Sequence, residues 1–332
     1  MTTVVLALNR RGAALAGKLG EALPADVLLP RRLDPAGFES LAEAVGQAFS
    51  RYRGLVMVMA AGIVVRTVAP LLRDKFQDPA VVQLDEDGRF AVSLVSGHLG
   101  GANDLARRVA RVLGAQAVVS TASELAGVPS LDLLARDFGL IPEPREALAR
   151  VGGRLVEGEP VPFHGAGVPA GFPYPVRPLA DFAGRGPAVL LTDQVLEAPD
   201  CLFLRPPRLT LGVGCRRGAS GEAILAACRA ALAAGGRSAL SLKALATVDR
   251  RATEPGLCQA ATTMERPLLA YTPDQLARVP CPHPSAFVRQ RLGIDGVCEP
   301  AALLAAGEGG RLVVPKRAGG GVAVALAEVG RG

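Results

Sequence analysis

The sequence lacks tryptophan altogether and holds only three tyrosines and ten phenylalanines among 332 residues. Proteins that bind nucleic acid usually stack bases on aromatic side chains and concentrate their positive charge. The net charge here is +6, but its densest spots are pairs such as Arg107-Arg108 and Arg250-Arg251. The composition therefore disfavours a nucleic-acid partner and better suits a small polyanionic ligand.

Long hydrophobic runs are also missing. None approaches the roughly 20 residues that span a bilayer. The segment from Met1 to Asn9 has neither the basic start nor the cleavage site of a signal peptide. We therefore expect a cytoplasmic protein with no membrane partner. Hydrophobic residues make up 49% of the chain, enough for a sizeable core, and the length allows two or three domains.

Cysteine is absent before Cys201, and no two of the six cysteines have the C-x-x-C spacing of a zinc or redox site. No metal site is predicted. Cys228 and Cys258 fall in helical patterns and are predicted to be small core residues. Cys215 lies in a glycine-rich stretch that we interpret as a turn.

Apolar strands that alternate with helices predict an α/β fold, because strands that are apolar throughout are typical of a parallel sheet covered on both faces. We predict doubly wound α/β domains over residues 1–140 and 208–332. Between them, residues 141–207 hold twelve of the 26 prolines and little helical periodicity. This Pro-rich stretch is predicted to be a small middle domain, mainly β or irregular.

The most informative stretch, Ser93 to Asp104, is a strand that leads through three glycines into a helix. Such a junction receives ligands, because small residues let the backbone approach and the helix start offers free N–H groups. A plain strand-to-helix turn is the alternative. The strand that ends before Gly62 offers a second such junction, since ligands gather at the carboxyl ends of parallel strands.

A third glycine-rich stretch follows the strand that starts at Leu209. The spacing of Gly212, Gly214 and Gly218 is one residue longer than in the dinucleotide fingerprint, and no Walker lysine follows. A nucleotide-dependent enzyme is therefore disfavoured.

Taken together, these motifs resemble the CbiG family of cobalt-precorrin-5A hydrolases of anaerobic cobalamin biosynthesis. The N-terminal part of the resemblance runs through 62–70, 78–82 and 93–103. Its C-terminal part runs through 212–216, 254–257, 297–301 and 312–316, and this part is also similar to CobE. Two positions depart from the family pattern, namely Arg251 in place of a lysine and Cys298 in place of an alanine.

The resemblance implies a reaction. The substrate is a cobalt-containing tetrapyrrole with acetate and propionate side chains and a δ-lactone, which water opens before the extruded carbon leaves as acetaldehyde. The cobalt belongs to the substrate, so neither a cofactor nor a protein metal site is implied. A homodimer or a contact with other corrin-pathway enzymes is a further expectation. The runner-up is a non-catalytic tetrapyrrole carrier.

Against that chemistry, His98 is the first candidate for a catalytic acid or base, because its unperturbed pKa lies near neutrality. It could equally bind a carboxylate of the ligand or brace the turn. Glu254, which the resemblance places in a family motif beside Pro255, is the second candidate. Alternatively, Glu254 has only a structural role at the start of a helix.

The remaining candidates are predicted to bind the substrate rather than react with it. Arg66 and Lys75 could pair with its carboxylates, the glycines could admit the flat ring, and Asn103 could instead cap the following helix. We expect the ring to lie between the N- and C-terminal domains. The predicted binding residues are Gly62, Arg66, Lys75, Ser96, Gly97, Gly100, Gly101, Asn103, Gly212, Gly214, Cys215 and Arg216.

Overall fold

The computed structural model describes residues 2–74 and 77–330. The chain divides into two compact units, Met1–Leu134 and Ala135–Gly332. Each is a mixed α/β structure whose sheets contain parallel strand pairs, as the strand–helix alternation predicts.

The first unit contains a six-stranded sheet in the order β2-β1-β3-β4-β5-β6. Its strands are β1 (Thr3–Ala7), β2 (Ala25–Leu28), β3 (Gly54–Val58), β4 (Ala80–Leu84), β5 (Phe90–Val95) and β6 (Gln116–Val118). The pairs among the first four strands are parallel, whereas β5 is antiparallel to β4. The final two strands therefore run against the other four, since β6 is parallel to β5.

Helices cover both faces of this sheet. The α-helices between residues 10 and 137 are α1 (Arg10–Ala22), α2 (Leu41–Arg51), α3 (Ala61–Val68), α4 (Ala102–Leu113), α5 (Ala122–Leu125) and α6 (Leu131–Asp137). One core cluster joins α1 and α4 to the sheet, and a second joins α2 and α3 to it. Because β1 and β3 are buried throughout, their continuous apolar runs match the two-sided packing.

The reversal of β5 separates the two junctions, after β3 and after β5, that we predicted to receive ligands at the carboxyl ends of parallel strands. Val95, the last residue of β5, pairs with Val81, which pairs with Leu55 near the start of β3. Gly62 follows the far end of β3. The Asp85–Gly88 turn makes β4 and β5 a hairpin. The turn after β5 and Gly62, at the start of α3, therefore lie at opposite edges of the sheet.

The middle region is more regular than we predicted. It contains α7 (Arg145–Val156) and the short strands β7 (Ile141–Glu143), β8 (Phe163–Gly165), β9 (Val176–Pro178), β10 (Val189–Leu191) and β11 (Leu202–Arg205). The sheet order is β7-β11-β10-β8-β9, and only β7 pairs antiparallel. The prediction of a mainly β or irregular region did not include α7, because a helix holding Gly152 and Gly153 gives a weak periodic signal.

The C-terminal sheet has the order β14-β13-β12-β16-β15. Its strands are β12 (Leu209–Cys215), β13 (Leu242–Val248), β14 (Leu268–Tyr271), β15 (Arg311–Gly319) and β16 (Val322–Glu328), and its helices are α8 (Gly221–Ala234), α9 (Pro255–Thr263), α10 (Pro273–Ala277), α11 (Ala286–Leu292) and α12 (Cys298–Ala306). Strands β12, β13 and β14 are parallel, and β15 and β16 form a closing hairpin. Strand β12 continues through Gly212 and Gly214 to Cys215, so the predicted glycine turn begins only at Arg216.

Two predictions about side chains had different outcomes. Cys228 is buried in the core of the C-terminal sheet, as predicted. Cys258 is exposed on α9, where its thiol contacts the Ala252 carbonyl at 3.2 Å, so its assignment to the core was wrong. Within residues 2–74 and 77–330, no helix has the length and apolarity to cross a membrane.

Candidate functional site

A cavity of about 1420 Å³ opens beside the C-terminal sheet. Its walls come from the carboxyl ends of β12 and β13, the start of α9, helix α11, the start of α12 and the β15–β16 hairpin. Because β12 and β13 are parallel, their carboxyl ends lie at one edge, where α/β sheets usually bind ligands. The volume exceeds the roughly 300–1,000 Å³ of common small-molecule sites and therefore suits a large ligand.

Positive charge dominates the described lining of this cavity. Six cationic side chains contribute to it, together with the carboxylate of Glu254. The cationic residues are Arg216, Arg217, Arg250, Arg251, Arg291 and Lys316. A concave surface lined by one sign of charge attracts ligands of the opposite sign. The cavity is accordingly built for a polyanion.

Glu254 joins two loops at the mouth of the cavity. One carboxylate oxygen accepts the Gly218 N–H at 2.6 Å, and the other is 3.1 Å from the Arg251 guanidinium. Glu254 also precedes Pro255, the first residue of α9, as the sequence indicates. Both oxygens are thus engaged within the protein, and the side chain holds the Gly218 turn against the loop after β13.

A second carboxylate, Glu299 in the first turn of α12, is fully buried behind the cavity wall. One oxygen lies 2.7 Å from His283 Nδ1 and accepts the Lys316 N–H at 3.0 Å. The other accepts the His283 N–H at 2.9 Å and lies 3.6 Å from Cys281 Sγ. We call Glu299, His283 and Lys316 the carboxylate–imidazole cluster.

Opposing effects set the charge state of this cluster. Burial acts to raise the pKa of Glu299, but the N–H groups of Lys316 and His283 and the His283 ring outweigh it, so the pKa falls below the ordinary glutamate value. Glu299 is therefore an ionised acceptor. Burial, followed by the negative charge of Glu299, raises the pKa of the Cys281 thiol.

The other cavity thiols are not activated nucleophiles either. Burial raises the pKa of Cys298 to about 12 and also raises that of Cys215, despite the nearby Arg251. A thiol needs a lowered pKa to react as a thiolate near neutral pH. The predicted Cys215 therefore lies in the cavity wall as a neutral group.

The four predicted residues of β12 and its turn have different environments. Gly214, Cys215 and Arg216 line the cavity. Gly212 does not, because it lies beneath α12, where an added Cβ would be 1.8 Å from the Cys298 carbonyl oxygen. The structure therefore gives Gly212 a packing role, which allows α12 to approach the sheet.

In the first unit, the turn after β5 is closely packed against its own helix. An added Cβ on Gly97 would lie 2.8 Å from Asn103 Oδ1, and one on Gly100 would lie 2.3 Å from Ser96 Cβ. Gly101 has a φ of 87° and immediately precedes α4. These glycines are needed by the turn itself, whether or not they also admit a ligand.

Asn103 is buried and connects three segments. Its Oδ1 accepts the Ser93 hydroxyl at 2.7 Å, and its Nδ2 donates to Thr121 Oγ1 at 3.2 Å. The expectation that Asn103 caps α4 was wrong, since the capping position is occupied by Gly101 and Asn103 is already within the helix. Its side chain instead ties the helix to β5 and to the segment before α5.

Ser96 and His98 hold polar atoms that no other described residue satisfies. Ser96 has a φ of 57°, and its Oγ is buried without a hydrogen-bond partner among residues 2–74 and 77–330. His98 Nε2 lies 3.1 Å from Ser123 Oγ, while Nδ1 is buried and unpaired within the same ranges. Buried polar atoms without partners are rare and fit a site that receives a ligand.

The other predicted residues of the first unit do not gather at this turn. Gly62 and Arg66 are exposed on α3, and nothing lies within 4 Å of the position of a Cβ on Gly62. Lys75 lies outside the described residues. The Asp78 carboxylate accepts the backbone N–H groups of Arg73 and Asp74, the turn-forming role expected from its residue type. The prediction that both domains face one ligand stays a prediction.

No local sequence pattern predicts the carboxylate–imidazole cluster. Glu299 and Lys316 fall in stretches that carry the family resemblance, but their side chains come from α12 and β15. His283 stands in a proline-flanked loop without periodicity. A histidine in such a loop carries no local signal, and only the tertiary contact with Glu299 reveals it.

Fold and site together define an α/β protein with a large cation-lined cavity and an oriented imidazole in its wall. Three family models match the chain, namely Cobalamin synthesis G N-terminal over residues 43–124, Cobalamin biosynthesis central region over 129–206 and Cobalamin synthesis G C-terminus over 209–327. The chain belongs to this cobalamin synthesis G family, which confirms the resemblance found in the sequence.

Curated relatives agree with this membership. A protein of Priestia megaterium named cobalt-precorrin-5A hydrolase is 34% identical over 82% of this chain and 77% of its own length. One of Salmonella typhimurium with the same name is 34% identical over 90% of each chain. Protein CobE of a Sinorhizobium species is 35% identical over 36% of this chain and 79% of its own length. The chain thus has a role in cobalamin biosynthesis.

Proposed function

We propose that this chain hydrolyses the δ-lactone of cobalt-precorrin-5A and releases the extruded carbon as acetaldehyde, giving cobalt-precorrin-5B. The observation that carries this proposal is the cavity of about 1420 Å³ lined by six cationic side chains. Such a lining complements a large macrocycle with several acetate and propionate groups. The names of the two full-length relatives support the same substrate.

In the first step, water attacks the lactone carbonyl, and the ester C–O bond breaks. The water oxygen stays in the new carboxylate, and the former ester oxygen becomes a hydroxyl on the extruded carbon. In the second step this hydroxyl loses its proton, a C=O bond forms, and the adjacent C–C bond breaks toward the macrocycle, which is protonated. No oxidant is needed, and the cobalt is part of the substrate.

Both steps need a proton acceptor, and an oxyanion must be stabilised. His98 remains a proposed acid or base, supported by its unpaired Nδ1 beside Ser96. Glu254 remains the second candidate, although its present contacts favour a role in holding the cavity mouth. The glycines of the turn after β5, together with Arg66 and Lys75, stay proposed contacts. The cytoplasmic location and a homodimer also remain proposals.

Release of acetaldehyde tests the function. Purified protein is mixed with cobalt-precorrin-5A, and acetaldehyde is measured by NADH oxidation in a coupled alcohol dehydrogenase assay. We expect one acetaldehyde for each substrate consumed. Retained turnover in both His98→Ala and Glu254→Gln, with unchanged binding, would remove both proposed acid–base roles.

The contribution of the cavity is tested with a matched pair of arginines. Arg250 lines the cavity, whereas Arg229 is exposed on α8 away from it. We expect Arg250→Ala to raise KM about threefold to tenfold with little change in kcat, because a solvated ion pair contributes up to about 1 kcal/mol. Arg229→Ala should change neither constant. Equal effects of the two variants would contradict binding in this cavity.

A second candidate is a non-catalytic tetrapyrrole carrier, favoured by one observation. The cavity lies in the C-terminal part, for which similarity to CobE extends over 36% of the chain. A carrier would bind the substrate without releasing acetaldehyde. The same assay therefore separates the two candidates.

A further inference from the structure

The hydrogen bonds of Glu299 fix the tautomer of His283. Both Glu299 oxygens accept backbone N–H groups, one from His283 and the other from Lys316, so the carboxylate acts as an acceptor and the proton shared at 2.7 Å is assigned to His283 Nδ1. In the neutral imidazole the lone pair is then on Nε2. This nitrogen has no hydrogen-bond partner among residues 2–74 and 77–330, and 57% of the His283 side chain is exposed in the cavity wall.

The position of the ring is fixed as well as its tautomer. Glu299 is fully buried and also accepts the N–H groups of His283 and Lys316. Lys316 Nζ in turn donates to the His283 carbonyl oxygen at 3.2 Å. A histidine that binds a metal typically donates its second ring N–H to a carboxylate in this way, which orients the ring and raises its basicity.

The surroundings of Nε2 match a metal held in a flat acidic ring. Such a ring presents carboxylates at its rim and an open axial position at its metal. The cavity offers cations for the rim and, in His283, an imidazole nitrogen among them. The exposed Phe287, 5.7 Å from the Arg291 guanidinium, adds an apolar surface at the same cavity.

We propose that His283 Nε2 is an axial ligand of the substrate's cobalt and that Glu299 is the positioning residue that aims it. The inference rests on the proposed function, because the metal arrives only with the substrate. The Nε2 lone pair forms the coordinate bond and displaces any axial water. No electron is transferred, and the Nδ1 proton stays with the imidazole.

Electron paramagnetic resonance tests this bond without turnover. The probe is cobyrinic acid, a cobalt corrinoid with free carboxylates and no nucleotide base, reduced to cobalt(II) and bound to the full chain. An axial nitrogen splits the cobalt lines into triplets, and ¹⁵N-histidine labelling converts them to doublets. We expect both patterns with the unaltered protein and neither with His283→Ala.

Matched variants assign the nitrogen. His98→Ala and His164→Ala, which replace the other two histidines, should keep the triplet. Added imidazole should restore it in His283→Ala, and Glu299→Gln should lower the ligated fraction at least severalfold. Binding of cobyrinic acid to His283→Ala, measured by ultrafiltration, should weaken by less than about tenfold because the rim cations remain.

The proposal is overturned if the triplet persists in His283→Ala, if it is lost instead in His98→Ala, or if cobyrinic acid binds without nitrogen splitting or does not bind. The hydrolase function fails separately. A bound probe with the His283 triplet but no acetaldehyde from cobalt-precorrin-5A would leave the ligand assignment and remove the reaction.

Discussion

The turn after β5 and the C-terminal cavity wall differ in whether their buried polar groups have hydrogen-bond partners. At the turn, Gly97 and Gly100 are packed against their neighbours, and the buried atoms Ser96 Oγ and His98 Nδ1 have no partner in the described ranges. In the cavity wall, the buried Glu299 accepts several N–H groups, and the half-exposed His283 that it holds contributes to the lining of a large cavity. In the first region, a closely packed backbone leaves buried polar atoms without hydrogen-bond partners. In the second, a fully hydrogen-bonded carboxylate holds the His283 side chain in place.

The comparison teaches that glycine content does not by itself mark a binding surface. Gly212 permits helix packing, Gly100 permits the turn to close, and Gly62 meets no neighbour within 4 Å of an added Cβ. The groups able to bind or react with a ligand are instead the side chains that tertiary contacts hold in place. The following predictions test that distinction.

The largest effect is expected from Gly212→Ala. Its Cβ would meet the Cys298 carbonyl oxygen at 1.8 Å and the Ala302 nitrogen at 2.6 Å, both of them backbone atoms. Helix α12 must therefore move, at a cost of about 3 kcal/mol in the free energy of unfolding. Urea unfolding followed by circular dichroism measures the loss. Gly214→Ala, whose nearest contact is 3.6 Å away, should be close to neutral, and equal losses would contradict the packing role.

Glu299→Gln should come next, at about 2 kcal/mol near pH 7, because the new amide nitrogen faces N–H donors. The lowered pKa of Glu299 also gives the unaltered protein a stability term. That term is present above the ordinary glutamate pKa of about 4.3 and is lost as pH falls through the lower folded value.

Unfolding measured across this acid range checks the sign. The difference between the unaltered protein and Glu299→Gln should shrink as the pH falls. The exposed Glu308→Gln is the control and should leave both the stability and its pH dependence unchanged. A difference that grows toward acid would contradict an ionised Glu299.

A smaller loss, about 2 kcal/mol or less, is expected from Gly100→Ala, because the Ser96 side chain can yield partly while the Ser96 carbonyl oxygen, 2.8 Å away, cannot. Gly62→Ala should be neutral or slightly stabilising, since alanine is the better helix former and the space is open. Thermal unfolding of the two variants decides this. A destabilising Gly62→Ala would contradict the expectation that a glycine with open space around an added Cβ tolerates alanine.

The smallest loss of stability is expected from Asn103→Ala, at about 1 kcal/mol, because it removes two hydrogen bonds within the unit. A double-mutant cycle with Ser93→Ala should give a coupling energy of similar size. Additive losses would mean that the bond between Ser93 and Asn103 contributes nothing to stability.

Much of the fold could be predicted because its signals are local. The hairpin at Asp85–Gly88, the αL glycine that ends α4 and Pro255 at the start of α9 each follow from a few adjacent residues. The helix in the middle region was missed because Gly152 and Gly153 weaken its pattern. The predicted residues that line the cavity stand in local motifs, as with the adjoining Cys215 and Arg216 and with Glu254 beside Pro255.

The sequence by itself determined the α/β class, the position of most strands and helices, and membership of the family, because periodicity, caps and motifs are properties of neighbouring residues. Only the tertiary structure decided that Gly62 and the turn after β5 lie at opposite edges of one sheet, and that Glu299 orients His283. The first depends on the direction of a strand and the second on contact between separate elements. Neither strand direction nor such contacts are encoded in any short stretch of chain.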